Sequence, residues 1–122
     1  MRIEPKHKYH NLPCSYVGTG CAYEDITKKE FTNALPKDLR TDGYLTLDGA
    51  NKYLRSIFKV RKKIYYKRTE RITLGEFLLK NKERCCVLVL GHFIYVNGEN
   101  YWSFFDNEND MVVCIWYLED KF

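Results

Sequence analysis

A chain of 122 residues with 30% charged and 16% aromatic side chains and a formal net charge of +4 has the composition of a folded, mildly basic protein. That excludes a disordered tail and leaves room for one domain with a single core, not for a second catalytic module. No run of ~18 apolar residues marks a membrane span, and the opening residues lack the charged, apolar and small-residue order of a secretory signal, so a soluble cytoplasmic product is expected.

Residues 1–13 read as a polar arm lying across the surface, with Pro13 as the last brake before an element starts. From Cys14 the glycines at 18 and 20 each weaken a helix by roughly 1 kcal/mol relative to alanine, so a helix beginning there is expected to be short and irregular or to be held by tertiary packing. The clearer helix spans about Tyr23 to Leu35, where Tyr23, Ile26, Phe31 and Ala34 share a face before Pro36 ends it. Asp42-Gly43 breaks the chain. Thr46 then caps a helix whose apolar residues Leu47, Ala50, Tyr53, Leu54, Ile57 and Phe58 recur at three and four.

Val60 to Tyr66 predicts a strand, edge-like because its charges would be costly to bury. Thr73-Leu74-Gly75-Glu76 is a capping-box pattern for a short helix to about Asn81, with Phe77 and Leu78 inward. Cys85 to Leu90 is apolar throughout, as a strand covered on both faces would be, and Gly91 permits a bulge or a close backbone approach before His92. Asn97-Gly98 is the strongest hairpin signal, and Glu99-Asn100 is able to lengthen the loop. The last strand, Met111 to Leu118, puts Val112, Cys114 and Trp116 on one side and Val113, Ile115 and Tyr117 on the other. Helices first and an antiparallel meander after make an α+β arrangement, with N-terminal helices against one face of a four- or five-stranded antiparallel sheet.

The chemistry-bearing residues fall into one order. His92 is the only histidine outside the arm, and the strand Tyr101 to Asp106 returns an acid fourteen positions later, so one hairpin would set His92 beside Asp106. Cys14 stands far upstream at a turn-to-helix boundary, in Asn11-Leu12-Pro13-Cys14. Such separation is ordinary where a fold assembles a thiol with its base. The five cysteines are an odd set, and Cys85, Cys86 and Cys114 stand in strand-like contexts suited to buried free thiols rather than to a disulfide scaffold. Cys21, behind Gly18-Thr19-Gly20, is the rival nucleophile, and a core cysteine is its plainer reading.

Cys14 in an N-terminal element, the helices after it, Thr73-Leu74-Gly75-Glu76-Phe77, the apolar strand into Gly91-His92, Asn97-Gly98, Trp102 to Asp106 and the terminal Val112-Val113-Cys114-Ile115-Trp116 resemble the small papain-fold, C39-peptidase-like cysteine peptidases of bacteria and phages. The resemblance covers the chain from Asn11 onward. It implies a papain-like fold and a cysteine peptidase or amidase without a cofactor, acting on a peptide or isopeptide bond. It casts Cys14 as nucleophile, His92 as base and Asp106 as the acid that orients it. Papain-like enzymes generally place a glutamine six positions before the cysteine as an oxyanion donor; that position is Lys8, and Asn11 is the substitute candidate.

Other readings stand beside this one. His92 is also readable as a core histidine, Asp106 as a turn cap, and Ser103 or Asn107 as the polar partner in its place. His7, His10, Cys14 and Cys21 have the residue types of a structural zinc site but match no standard spacing. Lys59, Arg61, Lys63 and Lys67 fall on one face of a period-two strand, with Lys62 on the other and Tyr65 and Tyr66 as stacking rings close by. That surface is the weak nucleic-acid alternative. The main non-enzyme alternative is a nucleic-acid- or partner-binding reading: a catalytically silent papain-fold binding protein that engages a host protein or nucleic acid, as a phage product that has lost catalysis would.

Overall fold

The computed structural model describes residues 1–32 and 47–121. The elements run β1 (Arg2–Ile3), a 3₁₀ turn (His7–Tyr9), α1 (Cys14–Thr27), α2 (Leu47–Ile57), β2 (Lys59–Tyr65), α3 (Leu74–Lys80), β3 (Arg84–Val89), β4 (His92–Asn97), β5 (Asn100–Trp102) and β6 (Val112–Glu119). Among the described residues this is an α+β fold on a six-stranded sheet of order β1-β5-β4-β3-β6-β2. Every pairing is antiparallel except β1 with β5, so the arm expected to lie on the surface adds a strand instead.

The sheet is covered on both faces. On one, α1 and α2 bring Val17, Ala22, Ile26, Ala50 and Leu54 against Cys86, Phe93, Tyr95, Cys114, Trp116 and Leu118. On the other, Leu74, Phe77 and Leu78 of α3 meet Cys85, Val87, Val89, Ile94, Val96 and Ile115. Helices therefore flank the sheet rather than sharing one face. The unbroken apolar run of β3 follows from this, since both of its rows are buried. Thr73 caps α3 by accepting the Glu76 N–H at 3.1 Å, as the capping-box pattern predicts.

The first long helix starts earlier than its apolar periodicity suggests. Helix α1 begins at Cys14, runs through both glycines and ends at Thr27, where Lys28 adopts a left-handed φ of 62°. The glycines are there for space. A Cβ on Gly18 would lie 2.7 Å from Phe93 Cδ1 and 2.9 Å from the Phe93 carbonyl oxygen, and one on Gly20 would lie 2.5 Å from the Tyr9 hydroxyl. Close helix-to-sheet contact thus outweighs poor propensity. The expected helix end at Pro36, the break at Asp42-Gly43 and the cap at Thr46 lie outside the described residues.

Two hairpins order the C-terminal half. Val89 pairs with His92, leaving Leu90-Gly91 as a two-residue turn, and Gly91 has a φ of 91° with nothing near its missing Cβ. It serves the turn, not a bulge or a close approach. Asn97 pairs with Asn100, so the second turn is Gly98-Glu99, with Gly98 at φ 63°. Pairing shifts between Leu88 and Val89, with partners Cys114 and Val112. The extra residue, Val113, moves Val112 to the α3 face with Ile115, away from the row that strict alternation predicts.

Candidate active site

Cys14 is the first residue of α1, with Pro13 in the cap position and no side-chain acceptor there. The opening amides of a helix have no intrahelical acceptor, so the thiol sits beside unused N–H donors at the positive end of the helix dipole. It is the exposed one of the five cysteines; Cys21, Cys85, Cys86 and Cys114 are buried and all five are free thiols. Burial pushes the Cys21 thiol up to about 12 and Cys114 to about 11, and raises Cys85 and Cys86 as well. Cys21 is thus a core thiol.

His92 opens β4 directly after the Gly91 turn and is half-buried. Cys14 and His92 line one cavity of about 240 Å³ at the end of the sheet, walled by Leu12, Val17, Phe93, Trp102, Phe104 and Phe105. They do not hydrogen-bond to each other. Strand alternation puts His92 in the row of Ile94 and Val96, with Phe93 and Tyr95 turned toward α1, so the imidazole reaches the cavity from its rim. Its ring packs on Phe105 at 5.4 Å between centroids and 35° between planes.

Asp106 and Asn11 are not part of the cavity lining. Strand β5 ends at Trp102, with Tyr95 opposite Trp102 and Val96 opposite Tyr101, and in the loop that follows Phe105, not Asp106, meets the His92 ring. Asp106 is exposed in the turn beyond, accepting the Glu108 N–H at 3.0 Å and the Tyr101 hydroxyl at 3.3 Å. Asn11 is exposed with a left-handed φ of 67°, a conformation asparagine tolerates, in the turn that leads into α1. Its neighbour Leu12 is the one that reaches the cavity.

Ser103 lines the cavity with its hydroxyl already engaged. It donates to Asn107 Oδ1 at 2.5 Å and accepts the Phe105 N–H at 3.1 Å, and Asn107 in turn donates to Asp110 Oδ2 at 2.7 Å. This network holds the loop that carries Phe104 and Phe105 over the cavity. The aromatic walls were hidden from sequence reading because the run from Tyr101 to Asp106 has the apolar content of one continuous strand. The available signal was Asn107 to Asp110, whose side chains draw the preceding residues out of the ladder.

The zinc constellation does not form. His7 and His10 stack on each other at 5.9 Å, His10 turns edge-on to Phe104, and among the described residues no three His, Cys, Asp or Glu side chains gather to hold a metal. The basic strand is also rearranged. Pairing shifts between Val60 and Lys62, so Arg61 is the bulged residue and Lys62 follows it on the Tyr117 side, while Lys63 pairs with Trp116 and falls on the other face. Arg61 is ion-paired with Glu83, and Lys59 lies 3.6 Å from Glu119. The expected single row of Lys59, Arg61 and Lys63 is therefore split, and two of its charges are engaged; Lys67 is exposed beyond the strand end.

No helix among the described residues is long and apolar enough to cross a membrane. The chain matches no family model, no curated protein and no solved structure.

Proposed function

We propose that the protein is a thiol-dependent hydrolase of papain-like fold, a cysteine peptidase or amidase in which Cys14 is the nucleophile and His92 the base. The observation that carries the reading is that the one exposed cysteine opens a helix and shares a cavity with His92. Cys14 gives its proton to His92, and the thiolate attacks the carbonyl carbon of a bound amide. The tetrahedral oxyanion is held by the Cys14 and Ser15 amides. Collapse breaks the C–N bond, and the imidazolium returns the proton to the leaving amine; a water deprotonated by His92 then hydrolyses the thioester. The missing hydrogen bond between the two side chains requires them to close on substrate, as catalytic contacts often do. Asp106 enters through the turn it caps, which positions Phe105 against the imidazole. Peptide, isopeptide and other amide bonds fit the same machinery.

A second reading rests on the engagement of Asp106 within its turn and on exposed Phe105 and Leu12 at the cavity rim: a catalytically silent binding protein that grips a host protein through this cleft. Alkylation of each cysteine by iodoacetamide, followed by mass spectrometry beside a His92→Ala variant, separates the two. Under the hydrolase reading Cys14 labels fastest and slows about tenfold at neutral pH without His92. Equal Cys14 rates in both proteins would remove the catalytic pair and leave the binding reading.

A further inference from the structure

Resting on the hydrolase reading, we infer that the substrate carries one large apolar side chain, leucine-like or phenylalanine-like, next to the bond that Cys14 attacks. The cavity beside the thiol measures about 240 Å³, smaller than the roughly 300 Å³ at which drug-sized ligand pockets begin, so it takes a single side chain rather than an extended ligand. Val17 lies one helical turn below Cys14 on the same face of α1, and Leu12, Trp102, Phe104 and Phe105 complete the wall.

Charge decides what this wall accepts. Among the described residues no lysine, arginine, aspartate or glutamate lines the cavity. The Ser103 hydroxyl in the wall is already bonded to Asn107 and to the Phe105 amide. A charged substrate side chain entering here would lose its water and find no oppositely charged partner outside the reacting pair. An apolar one gains contact with side chains that otherwise face solvent: Phe105 is 61% exposed and Leu12 42% exposed. The fold itself leaves these two side chains uncovered, and one entering side chain covers both. Burying a Leu- or Phe-sized group on this scale corresponds to about a ten- to hundredfold preference over a small or charged one.

The test uses N-acetyl aminoacyl chloromethyl ketones with phenylalanyl, leucyl, alanyl, aspartyl or lysyl side chains. In each, the Cys14 sulfur displaces chloride from the CH₂ carbon and forms a thioether, read by mass spectrometry. The expected result is labelling by the phenylalanyl and leucyl reagents at least tenfold faster than by the aspartyl and lysyl ones. In Phe105→Ala that ratio falls to a few-fold, and in Leu12→Arg it shifts toward the aspartyl reagent. Both sites are exposed, and circular dichroism checks that each variant folds. A flat panel, or a preference for the charged or the alanyl reagent, overturns the inference. The iodoacetamide comparison reports on the Cys14–His92 pair separately. A Cys14 indifferent to His92 that still selects apolar reagents would sink the hydrolase reading and leave the apolar subsite standing.

Discussion

Phe105, one residue before Asp106, is the side chain that meets His92. Residues 103–106 lie beyond the end of β5, and the loop they form gives His92 a ring contact where an ionic partner was expected. Asp106 instead holds its turn through one carboxylate oxygen, which accepts from the Glu108 amide and the Tyr101 hydroxyl. Asp106→Asn keeps that acceptor, so stability by urea denaturation should stay within about 0.5 kcal/mol of wild type and Cys14 alkylation within about twofold. Asp106→Ala removes the acceptor and should cost about 1 kcal/mol. Asparagine slowing Cys14 as much as His92→Ala does would mean that the acid reaches the imidazole directly. Cys14, His92 and Asp106 stood out in the sequence as candidates, whereas the contact of Phe105 with His92 did not, because it depends on where β5 leaves the ladder.

At the scale of elements, α1 does two jobs: it presents Cys14 and it fills the space above β4. Gly18 makes the second possible, since a methyl group there meets both the ring and the carbonyl oxygen of Phe93. Gly18→Ala gains about 1 kcal/mol of helix propensity, but overpacking against a backbone atom costs about 1–3 kcal/mol. The net expectation is a lower denaturation midpoint together with a changed Cys14 alkylation rate, because the helix must shift to make room. A rise in midpoint with unchanged alkylation would show that the contact is looser than 2.7 Å. Sequence propensity weighs the two glycines only as helix breakers; their value lies in a contact with residues 93 and 9, far away along the chain. Strand β2 teaches the same point. Its lysines read as one row until the bulge at Arg61, set by pairing with β6, divides them between two faces.

Across the whole molecule, the N-terminal arm closes one end of the sheet and is tied down by a partly buried ionic cluster. Tyr9 is 1% exposed and donates its hydroxyl to Glu24, while Lys6 and Lys8 each reach the same carboxylate at 3.3 Å. Burial works to raise the Glu24 carboxyl, but hydrogen bonds from Tyr9, Lys6 and Lys8 outweigh it and hold it below the ordinary value. A carboxylate lowered in the folded state contributes stability that is present above its unfolded value of about 4.3 and is lost as pH falls through the folded one. Urea midpoints should therefore drop as pH falls from about 4.5 toward 3, and Glu24→Gln should flatten that acid limb while costing about 1–3 kcal/mol at pH 7. An unchanged acid limb in the variant would remove Glu24 from the account. The chain by itself determined the α+β class, the amphipathic helix at 47–57, the capped helix at 74–80 and the doubly covered strand β3, because these rest on periodicity, capping and turn chemistry acting over a few residues. Only the tertiary structure decided that α1 runs through its glycines, that the arm adds a parallel strand, that helices cover both faces and that Phe105 lies on His92 in place of Asp106. Each of those is settled by register and close packing between segments distant in sequence, and local residue pattern carries no information about which atoms will be there to meet.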